Sequence, residues 1–577
     1  MKRWLLVLTG VLLFVAPLKF STPVNLQSQS VPPGAPIEWI FWSWPNQLGV
    51  MAAVILLFLM ALERVPAPRL GLLGALPMLF LVTQAMAVPN AICWQTAVDT
   101  VLHFGACVAV FYAAARCVRE ERWEAWLLGG LTVATLLVCV VALEQQFGGL
   151  EATRRYVAAY VDPARLTEEL RAKLTSKRVF GTLVYPNALA GYLVVAFAPV
   201  LVWLWSKAED KAAKIVVVTA AGGLMVACLA LSGSRGGFAA LAAGVVAWLL
   251  FRKCSGRRWL WGGVALAALA LVLAASLKGG LVHLGRSSLE ARVDYWGGAV
   301  RIIRDYPWFG TGPGTFGSIY PKYKTAATEE AQLVHNNFLE MWSDSGVAAF
   351  VVFAALWAVG LWEAARLARR RGDALSAALV AALAAWTVHG LLDFDLYMPG
   401  IALPAFALLG IVQGLKSKEA EPHPPQGSHW LRVAGAAVLL AAVLWFEGRM
   451  FAAASAYGEA QTAVGEDRLR AVVMATRFAP RNPNYWALVG EAALQMRDVD
   501  LAAESYQKAM DLDPKRSTRY VRLARAYRAA GKQVSAVMAL RWAVSLNPTE
   551  QTFRKELKAA EESVRQGRDG LIQSPPS

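Results

Sequence analysis

AKIVVVTAAGGLMVACLAL (213–231), SGSRGG (232–237) and FAALAAGVVAWLLFR (238–252) follow one another without a gap, as two apolar runs parted by a short break. At about 1.5 Å of rise per residue, a helical run of this length matches a bilayer core of roughly 30 Å. The break between them, which holds Arg235, is where the chain would reverse at a membrane surface. Comparable runs recur near 4–20, 48–64, 69–88, 96–116, 125–145, 188–205, 259–277, 346–364, 374–392, 399–416 and 431–447, which gives thirteen predicted spans with the two quoted. In hydrocarbon every backbone N–H and C=O must be paired inside its own segment, so such runs predict helices. The predicted fold is all-α, a polytopic transmembrane bundle of 12–13 helices over residues 1–447.

Composition agrees. Of 577 residues, 56% are hydrophobic and only 17% charged, with a mean hydropathy of +0.42. A wholly soluble protein is excluded. The net charge of +16 comes largely from short Lys/Arg clusters between apolar runs, which reads as topology information and not as a nucleic-acid surface. With the N-terminus in the cytoplasm, Arg64 and Arg69, then Arg116, Arg119 and Arg122, then Lys207, Lys211 and Lys214, then Arg252, Lys253, Arg257 and Arg258, then Arg366, Arg369, Arg370 and Arg371 all fall inside. The same count puts 232–237, the hydrophilic loop 278–345 and everything after 447 on the outer face. The loop near 146–187 departs from the rule, with Arg154, Arg155, Arg165, Arg171, Lys173, Lys177 and Arg178 on that outer face. Lys2 and Arg3 before the apolar Trp4 to Ala16 resemble a signal peptide, but the spans that follow favour a retained anchor. Six cysteines within or beside apolar runs show neither metal-ligand nor disulfide spacing.

After Glu447 the chain becomes polar and alanine-rich, and Pro480, Pro514 and Pro548 recur at the 34-residue tetratricopeptide period. Trp486, Gly490, Ala502, Tyr506 and Ala509 fill the small and aromatic positions of one repeat, and Tyr520, Leu523, Ala524, Tyr527, Ala536 and Ala543 those of the next. An α-solenoid over 448–567 is expected, with capping helices at each end and a disordered tail at 568–577.

Chemistry-bearing residues gather on the predicted outer face. His335, in LVHNNFLEM (333–341), is either a general base for a hydroxyl or a loop residue at a helix start. Arg235 is either a ligand-binding cation or a snorkelling helix-end arginine. Arg178, ahead of Pro186 and Asn187, either meets an anion or marks a helix start. Gly310 to Gly314 (GTGPG) reads as a structural turn in preference to an anion nest, since it lacks the Lys-Ser ending of a nucleotide loop. Asp393 and Asp395 have a spacing used by some metal-dependent transferases, but chance accounts for it, and His389 and Asp393 are expected to share one helix face as a polar pair. Asp99 and His103, four apart within one span, read as a buried helix-helix contact in preference to a proton relay.

Taken together, Arg178 with Pro186 and Asn187, the 232–237 break, Arg292 with Trp296 and the Gly310–Phe316 turn, and His335 with Asn336 to Leu339 resemble the O-antigen ligase and polymerase superfamily. The resemblance covers roughly 40–420. It implies a type C glycosyltransferase-like helical fold, no metal and no other cofactor, and an undecaprenyl-pyrophosphate-linked glycan donor used on the periplasmic face of the bacterial inner membrane. By position it implies His335 as base and Arg235 and Arg292, or Arg286 in place of Arg292, as pyrophosphate ligands, with Arg178 beside them. The acceptor stays open between glycan, lipid and protein. Alternatives are a protein O-oligosaccharyltransferase, a flippase, or an assembly scaffold in which the repeats hold a partner protein.

Overall fold

The computed structural model describes residues 2–63, 71–151, 178–251, 288–325, 330–418 and 428–572. The predicted span 259–277, Arg286, the basic residues from Arg154 to Lys177, and the tail beyond 572 lie outside the described residues. The described residues are 83% helical, and no strand occurs among them.

The membrane part is built from α1 (Lys2–Lys19), α3 (Asn46–Leu62), α4 (Gly71–Ala87), α5 (Trp94–Cys117), α6 (Trp123–Glu144), α7 (Pro186–Lys207), α8 (Lys211–Ser232), α9 (Arg235–Phe251), α12 (Asn337–Arg371), α13 (Ala374–Gly390), α14 (Pro399–Lys418) and α15 (His429–Thr462), with the short α2 (Pro36–Phe41) after α1. These helices cover every predicted span that lies within the described residues. Among the described residues eight segments, those of α4, α5, α6, α7, α8, α12, α14 and α15, are long and apolar enough to cross a membrane. The chain is a multi-pass membrane protein.

The bundle is apolar outside as well as inside, as lipid solvation requires. Val216 and Leu250 are 65% and 62% exposed, whereas α14 is almost wholly buried and packs along α5. Trp357 and Trp386 stack at 3.6 Å between α12 and α13. Small residues let backbones approach: a Cβ on Gly410 would stand 2.2 Å from the Phe111 carbonyl.

Polar contacts collect at the two ends of the bundle. One end holds Arg116 on Glu63 at 3.0 Å, Lys416 on Glu363 and Arg119 on the Ser417 carbonyl. The other holds the 232–237 break, the start of α12, the α13–α14 connection and a small subdomain of α10 (Ser288–Asp305) and α11 (Phe316–Tyr323), cored by Ala299, Ile302, Phe316, Ile319 and Tyr320.

α15 runs unbroken through residue 447 and into the repeats, where its last turns pair with α16 (Gly465–Phe478). Then come α17 (Pro483–Gln495) with α18 (Val499–Leu512), α19 (Ser517–Ala529) with α20 (Gln533–Leu546), and α21 (Gln551–Ile572). The 34-residue period has a local cause: Trp486 donates to the Pro480 carbonyl and Tyr520 to the Pro514 carbonyl, so each aromatic ties its helix to the preceding turn. The solenoid leans on the α10–α11 end of the bundle. Asn547 donates to Glu330 at 2.9 Å, Ser318 to Asp513 at 3.4 Å, and Arg481 stacks over Trp94 at 4.4 Å.

Candidate active site

The site forms where α10, α12 and the connection after α13 converge. α12 begins with a side-chain cap: Asn336 Oδ1 accepts from the backbone N–H groups of Phe338 and Leu339 at 3.0 and 3.1 Å, the arrangement that satisfies orphan donors at a helix N-terminus. Asn336 is therefore the cap, and His335 stands just outside the helix with φ +56. That left-handed conformation is uncommon for a residue with a Cβ. It aims the imidazole away from the helix, and Trp296 Nε1 fixes the His335 carbonyl at 3.4 Å. Asn337 turns inward and accepts from the Leu396 N–H, tying the start of α12 to the α13–α14 connection.

His335 Nδ1 lies 3.2 Å from Asp393 Oδ1, and the other oxygen of that carboxylate lies 3.1 Å from an Arg292 terminal nitrogen. The imidazole stacks on Tyr295 at 5.6 Å and meets Phe394 edge-on at 4.7 Å. Its side chain is 27% exposed, while Asp393 is 4% exposed. Burial opposes ionisation of Asp393, but His335 and Arg292 outweigh it and hold the carboxyl well below the usual carboxylate range.

This corrects the expected helix-face pair of His389 and Asp393. α13 ends at Gly390, so Asp393 leaves the helix and turns to His335. His389 pairs instead with Asp395 at 2.7 Å, both side chains being buried; burial keeps the Asp395 carboxyl above its usual range despite the histidine. Gly191 of α7 admits this second pair, since a Cβ there would stand 2.5 Å from Asp395 Oδ1. Asp99 and His103 are buried, but their partners are Gln95 and the Leu396 carbonyl, not each other.

Arg178 joins two segments far apart in sequence. It donates to the Ser232 carbonyl at 2.6 Å and to Asn187 Oδ1 at 2.8 Å, so it holds the α8–α9 break against the start of α7. Burial lowers its pKa; Asp393 opposes that effect and Arg292 adds to it, which places all three charges within one another's field. Arg235 opens α9 and is exposed, with no side-chain hydrogen bond or ion pair among the described residues. Its neighbour Gly236 lies against Leu392 and His389, so Arg235 stands beside the same cluster. His335, Arg292, Arg178 and Arg235 are thus brought to one end of the bundle.

The glycine turn is an internal nest. Gly310, Gly312 and Gly314 all have positive φ; Thr311 and Gly312 donate to the carbonyls of Ser343 and Asp344, and Gly314 N–H donates to the Asp344 carboxylate at 2.8 Å. The carboxyl group it holds is the protein's own, which makes it structural. Among the described residues no group of three or more His, Cys, Asp and Glu side chains gathers as a metal-ligand set.

Asp393 is the residue that sequence reading passed over as a partner for His335. Its one legible signal was position, a carboxylate just past the outer end of a span.

Residues 220–354 match the family described as O-Antigen ligase, and residues 483–516 match the Tetratricopeptide repeat. This central stretch of the chain is similar to an O-antigen ligase domain. That match supports glycan transfer in a membrane as its function and includes Arg235, Arg292, the glycine turn and His335, whereas Arg178 and Asp393 lie on either side of it. No curated protein matches the chain.

Proposed function

We propose that the protein transfers a glycan from an undecaprenyl-pyrophosphate donor to an acceptor hydroxyl on the periplasmic face of the bacterial inner membrane. The observation that carries this reading is the Arg292–Asp393–His335 chain, with Arg178 and Arg235 alongside. Asp393 orients the imidazole through Nδ1, so that Nε2 is the nitrogen that takes the acceptor proton. The acceptor oxygen attacks the anomeric carbon, the bond from that carbon to the pyrophosphate oxygen breaks, and the lipid pyrophosphate leaves with the electron pair. Its growing negative charge meets fixed guanidiniums, which suit phosphate oxygens because their planar donors bind them in pairs. Asp393 offsets only part of that positive charge.

Pre-aimed charge of this kind typically accounts for about a hundredfold or more in rate. His335→Ala and Arg235→Ala are each expected to abolish transfer without lowering the amount of protein in the membrane, as read by surface-glycan gels beside immunoblots. Wild-type transfer by either variant removes that residue from the scheme. A flippase should line its path with polar side chains through the membrane depth; the gathering of His335, Arg292, Arg178 and Arg235 at one end favours an enzyme. Deleting the gene distinguishes the products: unattached lipid-linked polymer indicates a ligase, and single-repeat chains indicate a polymerase.

A further inference from the structure

Between α15, α17 and α19 the repeats form a half-open cavity of about 280 Å³ lined by residues that include Tyr457, Asn484, Leu488, Arg516, Arg519 and Arg522. Three guanidiniums therefore face one small space. Asp513 bonds two of them, Arg519 at 3.0 Å and Arg516 at 3.2 Å, and Arg519 also reaches Asn484 Oδ1 at 3.0 Å. Arg522 is exposed and has no ion pair among the described residues. Its charge acts on Tyr506, which also feels Glu491 and Arg525, and Glu491 is already paired with Arg468 at 3.1 Å. The cavity therefore holds a net positive charge.

Its position supplies the second observation. Arg516 reaches out of the solenoid to Ser318 and Gln332, each at 3.5 Å. Gln332 precedes His335 by three residues, a span of at most about 11 Å of extended chain. The basic cavity thus opens next to the segment that carries the imidazole.

We infer that this cavity binds an acidic sugar of the acceptor glycan, a uronate carboxylate or a sugar phosphate held by Arg516 and Arg522, and so presents the acceptor to His335. The inference rests on the glycan-transfer reading and adds the acceptor's chemistry to it. A compact cavity with the Tyr457 ring in its wall suits a sugar residue, whereas a peptide bound as an extended segment needs a longer groove.

The test uses the full chain in nanodiscs and measures binding of three probes: an oligogalacturonate, a phosphorylated mannan oligosaccharide and a neutral malto-oligosaccharide. At least one acidic probe should bind, more weakly as salt rises, and Arg522→Glu should weaken it by roughly tenfold with an unchanged melting temperature, while Arg522→Lys retains most of the affinity. The probe that binds identifies carboxylate or phosphate. Equal affinity in wild type and Arg522→Glu, equal binding of the neutral probe, absence of binding to all three, or an acidic polyglutamate peptide binding in preference to the sugars overturns the inference. His335→Ala should bind as wild type does. If Arg522-dependent binding is found but wild type transfers no glycan, the transfer reading fails and the cavity assignment stands.

Discussion

Asp393 is the hinge of the site at the scale of single residues. It is buried, it bridges a histidine and an arginine, and its ionised form is what both partners require. Because its folded pKa is depressed, the stability it contributes is present above the unfolded value of about 3.9 and is lost as pH falls through the lower, folded value. The Arg292–Asp393–His335 chain should hence survive acidification from neutrality to pH 5. Asp393→Asn keeps the shape but removes the charge and exchanges an oxygen acceptor for an amide. Transfer should fall by about a hundredfold or more, while the melting temperature of the wild type should show no Asp393-dependent drop between pH 7 and pH 5. Near-wild-type transfer in Asp393→Asn would show that the carboxylate does not orient the base. Sequence reading singled out His335 and Arg235 because an imidazole in a hydrophilic loop and a guanidinium in a break between apolar runs are conspicuous, and Arg292 through the family resemblance. It missed the role of Asp393 because helical periodicity was extended past Gly390, and nothing local reveals that the helix stops there.

Among the elements, α12 shows how a membrane helix is adapted to a site. Its first turns carry Asn336 and Asn337, and the helix then breaks at Gly346, where φ is +82. A Cβ at that position would stand 1.9 Å from the Trp308 carbonyl oxygen. Val347 N–H meanwhile donates to the Pro307 carbonyl at 3.0 Å, so the break is stitched to the end of the α10 segment. Gly346→Ala combines an unfavourable backbone conformation, worth about 1–3 kcal/mol on its own, with a backbone clash. The variant should melt several degrees lower in detergent or fail to accumulate; an unchanged melting temperature would show that the break is not constrained. Apolar length announced the span at 346–364, but the nine polar-leaning positions from Asn337 to Ser345 that precede it in the same helix were legible only as loop. Their helicity depends on the Asn336 cap and on packing against the glycine turn.

For the whole molecule, the solenoid, the α10–α11 subdomain and the site share one end of the bundle, while the arginine and lysine contacts with Glu63 and Glu363 occupy the other. Shared placement makes a topological prediction. Single cysteines introduced at the exposed positions Arg304 and Lys508 should react with an impermeant thiol reagent added to intact spheroplasts, and one at Arg370 only after permeabilisation. The native cysteines among the described residues, Cys93, Cys107, Cys117, Cys139 and Cys228, are all buried and contribute little background. Labelling of Arg370 but not Lys508 in intact cells would invert the proposed orientation.

Apolar run length and the proline period were sufficient by themselves to determine a polytopic helical bundle followed by tetratricopeptide repeats, because bilayer thickness and repeat stacking act through local, periodic constraints. Tertiary structure alone decided that Arg178 clasps the Ser232 break, that Asp393 turns from His389 to His335, and that Arg516 of the repeats reaches the strand of chain leading to that histidine. Each of these depends on where helices stop and which ends meet, and those are set by packing between segments tens to hundreds of residues apart.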